Sequence, residues 1–153
     1  PLVLALEELH GAQLSIEALQ YVARRLGPTP TLIVGTYRQT EVEVRTINEM
    51  VVSAGVGVPD MVKIDAEGFD LKALAGASDF IGKTDIFFLE AAVCASGIEN
   101  TMAAVIAKMA ELGYRMIDIT DLNRSPKHGV LWLCELAFMR EGCPLLDQIA
   151  SYE

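Results

Sequence analysis

Short apolar runs alternate with amphipathic stretches along the chain, a pattern typical of α/β proteins. Residues 2–6 and 31–36 are nearly continuous apolar runs, which favour strands buried on both faces. Between them, Ser15 is a suitable N-cap for a helix that Gly27 would end. A strand, helix, strand unit of this kind predicts parallel pairing with a right-handed crossover.

The middle of the chain continues the alternation of strands and helices. Thr46 and Glu49 have the spacing of a capping box, in which the hydroxyl and the carboxylate each bind the other residue's backbone N–H. Glu67 and Gly68 predict a tight turn between a strand and the helix that follows it. The predicted elements are a helix from 46 to about 55, a strand at 61–65, a helix at 69–77 and a strand at 85–90.

The last third of the chain predicts an amphipathic helix and a strand pair. The helix carries its apolar residues at helical spacing and ends at Gly113. The strands at 116–120 and 131–140 follow each other without a helix, so they are predicted to be antiparallel. The fold class is therefore a single α/β domain over residues 1–153, with a mostly parallel sheet and an antiparallel C-terminal strand pair.

Composition and charge limit the partners that the chain would bind. The sequence has 52% hydrophobic residues and a net charge of −9, with 21 acidic and 12 basic residues. A charge of this sign repels nucleic-acid phosphates and anionic lipid, so neither nucleic acid nor a membrane is expected as a partner. No apolar run has the length of a membrane span and the first residues lack the basic flank of a signal peptide, so a cytoplasmic location is expected.

The three cysteines do not predict a metal site. Cys94, Cys134 and Cys143 are odd in number and show no C-x-x-C spacing. We interpret them as buried or incidental thiols, because free cysteine usually behaves as a small hydrophobic residue.

Candidate chemistry lies where the predicted strand at 61–65 turns into the next helix, because ligands of open α/β sheets bind at the carboxyl ends of parallel strands. Asp65 could orient a substrate hydroxyl or act as its general base, or it could cap the following helix. Glu67 could bind an amine of the substrate or cofactor, or it could be an acid favoured by the helix dipole. Both alternatives stay open for each residue.

Three further polar residues need a partner or a role. Lys63 lies in the middle of a buried strand and must pair or reach solvent, and Glu90 on the next strand is one candidate partner. Glu90 ends its own strand at the same edge of the sheet and could instead belong to the site. His128, in the polar connection before the last strand, could titrate near neutrality or be a solvated loop residue.

Four segments in this order resemble the FkbM-family methyltransferases, and the most specific is the Lys-Ile-Asp-x-Glu-Gly core that begins at Lys63. The resemblance implies an S-adenosylmethionine-dependent O-methyltransferase with a Rossmann-like sheet, S-adenosylmethionine as cofactor and a small-molecule hydroxyl acceptor. It also places Asp65 near the methyl donor and acceptor. Together with the residue patterns above, we predict Asp65 and Glu67 as catalytic residues and Lys63, Gly68, Glu90 and His128 at the substrate or cofactor edge. The matching segments are 44–50, 61–68 with 71–77 behind it, 85–90 and 133–141.

The first forty residues resemble a different family. Residues 2–6 followed by Glu7 and Glu8 are similar to the Walker B region of the P-loop ATPase modules in LuxR-type regulators. The G-x-x-x-x-G-K-[ST] loop is absent, so ATP hydrolysis is not expected. The glycine-rich turn that holds the methyltransferase cofactor is also absent, which predicts that the family half spans about 42–153 and that the N-terminal cofactor half is missing or replaced. The alternative is a non-catalytic α/β domain that forms a homodimer through an exposed sheet edge.

Overall fold

The computed structural model describes residues 2–6, 31–35 and 44–149, with side chains described from 44 to 149. The helix predicted between Ser15 and Gly27 and the acidic pair Glu7 and Glu8 lie outside the described residues.

The described elements follow the predicted alternation of strands and helices. In chain order they are β1 (Leu2–Leu6), β2 (Thr31–Gly35), α1 (Ile47–Ser53), β3 (Met61–Ile64), α2 (Asp70–Ala75), a short 3-10 helix (Ser78–Phe80), β4 (Ile86–Ala92), α3 (Met102–Glu111), β5 (Tyr114–Arg124), β6 (Leu131–Arg140) and α4 (Pro144–Ile149).

The six described strands form one sheet in the order β2-β1-β3-β4-β6-β5. β1 pairs in parallel with β2 and β3, and β3 pairs in parallel with β4. β6 is antiparallel to both of its neighbours, β4 and β5. The predicted fold class, a Rossmann-like and mostly parallel sheet with an antiparallel C-terminal pair, is confirmed.

The strand order reverses between β1 and β3. From β1 the chain passes to β2 on one side of β1, and it later returns to β3 on the other side. Such a reversal leaves a crevice at the carboxyl ends of the two strands, where open α/β sheets bind their ligands.

The two faces of the sheet differ in polarity because strand side chains alternate. One face, the core face, carries buried apolar residues of β3, β4 and β6, against which residues of α1, α2 and α3 pack. Phe87 and Phe138 are fully buried there, and burying each such side chain stabilises the fold by about 1.5–3 kcal/mol. The opposite face also carries apolar residues such as Phe88 and Met139, but it includes the charged residues Lys63, Glu90 and Glu135, and we call it the polar face after them. The core-face residues are Val62, Ile64, Phe87, Leu89, Leu136 and Phe138.

The capping box predicted at the start of α1 is present. The backbone N–H of Thr46 donates to Glu49 Oε2 at 2.7 Å, and the Glu49 N–H donates to Thr46 Oγ1 at 3.2 Å. The helix ends at Ser53, and Gly55 follows it with φ 65°. Both ends of this helix were therefore readable from local sequence.

Other boundaries differ from the prediction. The helix predicted at 69–77 is only α2, because the chain tightens into the 3-10 helix after Gly76. β5 begins directly after Gly113 and runs to Arg124, since pairing with β6 keeps the polar stretch extended. The helix α4 was not predicted; its buried Leu146 packs with Met139 and Cys143.

Within the described residues, no helix combines the length and the hydropathy that crossing a bilayer requires. Cys134 and Cys143 are buried and Cys94 is exposed, and all three are free thiols.

Candidate functional site

The turn after β3 carries the chain out of the sheet. Two consecutive residues adopt left-handed backbone conformations, Glu67 with φ 46° and Gly68 with φ 90°. The turn is closed by the Phe69 N–H, which donates to the Ala66 carbonyl at 2.8 Å. A non-glycine residue with positive φ is uncommon, and such strain concentrates at functional sites.

This turn excludes the structural alternatives for Asp65 and Glu67. α2 begins only at Asp70, and its N-cap residue, Phe69, makes no side-chain cap bond. Asp65 therefore does not cap α2, and Glu67 does not lie in its first turn. Because Glu67 and Gly68 adopt left-handed conformations, the helix begins only at Asp70, and neither of the two acids belongs to it.

Asp65 and Glu90 lie side by side at the carboxyl ends of β3 and β4. The last paired residues of these strands are Ile64 and Leu89, so the two acids are the next positions in register. Because side chains along a strand alternate between the two faces, the side chains of both acids lie on the polar face. They bring two carboxylates together beside the strand-order reversal.

The environment of Glu90 favours its protonated form. Burial, the largest cause, and the nearby carboxylates of Asp65, Asp70 and Glu67 together raise the pKa of Glu90 to about 7, against the opposing effect of Lys63. We call the four acids Asp65, Glu67, Asp70 and Glu90 the carboxylate cluster. A carboxyl group with a pKa near neutrality can accept or donate a proton at physiological pH.

Lys63 is paired, but not with Glu90. Its ammonium group contacts the Glu135 carboxylate of β6 and lies 3.7 Å from Asp65 Oδ2. The long lysine side chain reaches across β4, because Glu135 lies opposite Glu90 on β6. Burial is the largest single cause and lowers the pKa of Lys63, but the hydrogen bond to Glu135 and the charges of Glu135, Asp65 and Asp121 together outweigh it, so the pKa is raised.

Glu135 was not predicted as a site residue. Its other oxygen, Oε1, accepts a hydrogen bond from Thr120 Oγ1 at 2.8 Å. The sequence signal was an acid within the apolar run of β6, which needs a partner for the same reason as Lys63 does.

Asp70 and Asn100 were also missed, although they contact Glu90 directly. Asp70 Oδ1 accepts from the backbone N–H of Glu90 at 3.0 Å, and Asn100 Nδ2 donates to the Glu90 carbonyl at 2.7 Å. Burial raises the pKa of Asp70 to about 6. The available signal was helical spacing, since Asp70 lies four residues before the buried Leu74 and therefore on the buried side of α2.

The structure places the remaining candidates at different positions. Gly68 lies in the turn beside the cluster, and a Cβ added there would lie 3.9 Å from Ile98 Cγ2. His128 is exposed in the turn between β5 and β6, where its backbone N–H donates to Ser125 Oγ at 3.4 Å. In the described part of the chain, no hydrogen bond or ion pair joins its imidazole to the carboxylate cluster.

A family model described as Methyltransferase FkbM domain matches residues 10 to 116, more than half of the chain. The matched residues contain β3, β4 and the whole carboxylate cluster. They begin before residue 42, where the sequence predicted the family half to begin, and the resemblance of residues 1–41 to a Walker B region stays a prediction. No curated protein matches the chain.

Two solved structures are similar to this chain. One is a candidate tRNA (m1A22) methyltransferase of Streptococcus pneumoniae, with 10% identity and a TM-score of 0.44 over 97% of this chain and 62% of that one. The other is the glycopeptide N-methyltransferase MtfA in complex with S-adenosylmethionine, with 10% identity and a TM-score of 0.34 over 90% of this chain and 72% of that one. This chain thus spans less than two thirds of the first structure.

Proposed function

The chain belongs to the FkbM methyltransferase domain family, and from this premise we propose that it carries the acceptor edge of an S-adenosylmethionine-dependent O-methyltransferase. The observation that carries the proposal is the placement of Asp65 and Glu90 at adjacent strand ends beside the strand-order reversal. An acceptor hydroxyl bound there would meet one carboxylate that orients it and one that takes its proton.

The charge of the site suits a cationic methyl donor. S-adenosylmethionine, when bound, supplies a methyl group on a positively charged sulfur. Asp65 and Glu135 flank the ammonium group of Lys63, and Glu90 and Glu67 lie near Asp65, so acidic side chains outnumber the one lysine among these described residues. Acidic side chains at the mouth of a crevice raise the local concentration of a cation. Glu67, exposed on the turn, contributes to this field.

We assign different roles to the two central acids. Asp65 lies 3.7 Å from the Lys63 ammonium group at the end of β3, and from this position it orients the acceptor hydroxyl. Glu90, with its pKa raised to about 7 by burial, is the general base that takes the hydroxyl proton as the acceptor oxygen is methylated. General bases work best when their pKa lies near the working pH, and such a base contributes roughly 10²–10⁴-fold in rate.

Calorimetric titration with S-adenosylmethionine and with S-adenosylhomocysteine tests the donor side of this proposal. We expect the charged donor to bind more tightly than the neutral product, and the difference to shrink at high salt because screening weakens the attraction of the acids. Absence of donor binding at millimolar concentration would refute the proposal.

Methyl transfer tests the acceptor side. With tritiated donor and a panel of sugar, polyketide and catechol hydroxyl compounds, Glu90→Gln should lower the transfer rate by about 10²–10⁴-fold while changing donor affinity only a few-fold. The matched control is Glu111→Gln, which removes the same charge from an exposed position on α3 that pairs with Lys108. Equal losses in the two variants would contradict the role of Glu90.

A second candidate function is self-association through the edge strand β5. Exposed apolar side chains follow this edge on the side of the core face, and they continue onto β6. An exposed edge of this kind favours association with a second copy. We define the edge strip as Met116, Ile119, Leu122 and Trp132.

A further inference from the structure

β4 continues beyond the end of the strand that it pairs with. β3 ends at Ile64, opposite Leu89, whereas β4 runs on to Ala92. From Glu90 onward, the backbone groups of β4 that point toward β3 have no strand to bind. Buried backbone groups without partners are costly, so something must replace the missing strand.

Two side chains take the place of that strand at Glu90. The N–H of Glu90 donates to Asp70 Oδ1 at 3.0 Å, and its carbonyl accepts from Asn100 Nδ2 at 2.7 Å. The N–H and carbonyl of one strand residue point to the same edge, so both bonds lie on the side where β3 has ended. Glu90 is therefore held at both of its backbone groups by side chains from outside the sheet.

The two side chains also hold each other. Asn100 Nδ2 donates to Asp70 Oδ2 at 3.2 Å, and Asn100 Oδ1 accepts from the Leu71 N–H at 3.2 Å. Asp70 has 0% and Asn100 2% of its surface exposed. Every polar atom of the two side chains is used, which leaves them a single arrangement and makes the pair a rigid support.

We propose that Asp70 and Asn100 are positioning residues that clamp the backbone of Glu90 and thereby hold its carboxyl group beside Asp65. The proposal deepens the proposed function, because it rests on Glu90 being the base of that same site. The charge of Asp70 has a second effect, since it helps to raise the pKa of Glu90. Asp70 and Asn100 act only through Glu90.

The test uses three variants of the full chain and two measurements by nuclear magnetic resonance: hydrogen exchange of the Glu90 amide and titration of its side-chain carboxyl carbon. Asp70→Asn keeps an acceptor for the Glu90 N–H. Its side-chain NH₂ group, however, takes the place of the oxygen that accepts from Asn100 Nδ2, so two donors face each other. We expect the Glu90 amide to exchange about tenfold faster, as a weakened buried hydrogen bond predicts. The pKa of Glu90 should fall, because one neighbouring negative charge is removed.

The second and third variants test whether the pair acts as a unit. Asn100→Asp sets two carboxylates against each other and should also speed exchange at Glu90. In the double variant, the new amide at position 70 can donate to the new carboxylate at position 100. We expect exchange at Glu90 to be slower than in Asn100→Asp but not to return to that of the unmodified protein, because the Glu90 carbonyl still lacks the donor that Asn100 Nδ2 supplied.

Thr84→Val is the control for a purely structural effect. Thr84 is also fully buried, and its hydroxyl donates to the Pro59 carbonyl at 2.8 Å near the amino end of β4. We expect this variant to lower overall stability but to leave the pKa and local exchange of Glu90 unchanged. Equal effects of Thr84→Val and Asp70→Asn, or no effect of Asp70→Asn, would overturn the proposal. If Asp70→Asn does not fold, Asn100→Ala removes the donors to Glu90 and Asp70 and is measured in the same way.

None of these measurements requires a donor or an acceptor. Failure to bind S-adenosylmethionine would refute the proposed function and leave the clamp on Glu90 intact. If the amide exchange rate and the pKa of Glu90 are unchanged in Asp70→Asn, the clamp is refuted, and this result says nothing against donor binding.

Discussion

At the scale of single residues, the candidate site depends on which residues pair with its partly buried charged side chains. Lys63 was expected to pair with a carboxylate, and it does so, but the partner is on β6 and not on the neighbouring strand. The sequence could not identify Glu135, because its position opposite Glu90 follows from the register of β4 and β6. Local sequence thus indicated that a partner must exist, and only the sheet determined which residue it is.

Replacing Lys63 by methionine should raise the pKa of Glu90 above about 7, because Lys63 is the cation that lowers it. The loss of a partner for Glu135 should also cost about 1–2 kcal/mol in the free energy of unfolding, since this pair is only partly buried. Titration of the Glu90 carboxyl carbon and urea unfolding measure the two effects. The control is Lys108→Met, which breaks an exposed pair on α3. It should change the pKa of Glu90 by no more than a few tenths of a unit and the free energy of unfolding by no more than a few tenths of a kcal/mol. A similar rise of the Glu90 pKa in both variants would contradict the prediction.

At the scale of elements, β5 shows what periodicity misses. The sequence predicted a strand over five residues, whereas the structure extends it to eleven. Four of the six added residues are polar or charged and give no strand pattern, and three irregularities in register accommodate the strand against β6. Pairing with a long neighbour therefore outweighed the local preferences of this segment.

The edge strip of β5 makes a prediction about association. If a second copy binds there, Ile119→Lys and Leu122→Lys should each weaken dimerisation by at least about tenfold, because a charge would be buried at an apolar contact. Sedimentation velocity over a concentration series measures this. Val52→Lys is the control, since Val52 is an exposed apolar residue on α1, away from the strip. A chain that is monomeric at every concentration would rule out the second candidate function.

At the scale of the whole molecule, the buried acids make stability depend on pH. The folded-state pKa values of about 6 for Asp70 and about 7 for Glu90 lie above their ordinary values of 3.8 and 4.5. Between about pH 4 and pH 7 the folded chain therefore holds more protons than the unfolded chain. The stability that these two groups contribute is fully present below the unfolded pKa values and is lost as pH rises through the folded ones.

We expect the free energy of unfolding to fall between pH 4.5 and pH 7.5, by on the order of 1 kcal/mol once solvent screening is considered. Glu90→Gln should flatten this decline, because one of the two groups no longer titrates. Urea unfolding at several pH values measures it, and Glu111→Gln should follow the unmodified protein. Two results would contradict the raised pKa values of Asp70 and Glu90. One is a free energy of unfolding that rises with pH in this range, and the other is the same pH dependence in the unmodified protein, Glu90→Gln and Glu111→Gln.

The sequence by itself determined the alternation of strands and helices, the capping box of α1, the antiparallel C-terminal pair and the tight turn after β3 that carries the candidate residues. These features depend on local spacing, on turn residues and on apolar periodicity, which act within a few residues. Only the tertiary structure decided that Lys63 pairs with Glu135, that Asp65 neither caps α2 nor stands alone, and that Asp70 and Asn100 hold Glu90. These contacts join residues 10 to 72 positions apart. The register of β4 and β6 places Glu135 within reach of Lys63, and the contacts of Glu90 exist because β3 ends before β4 does and leaves buried polar groups that only side chains from outside the sheet can reach.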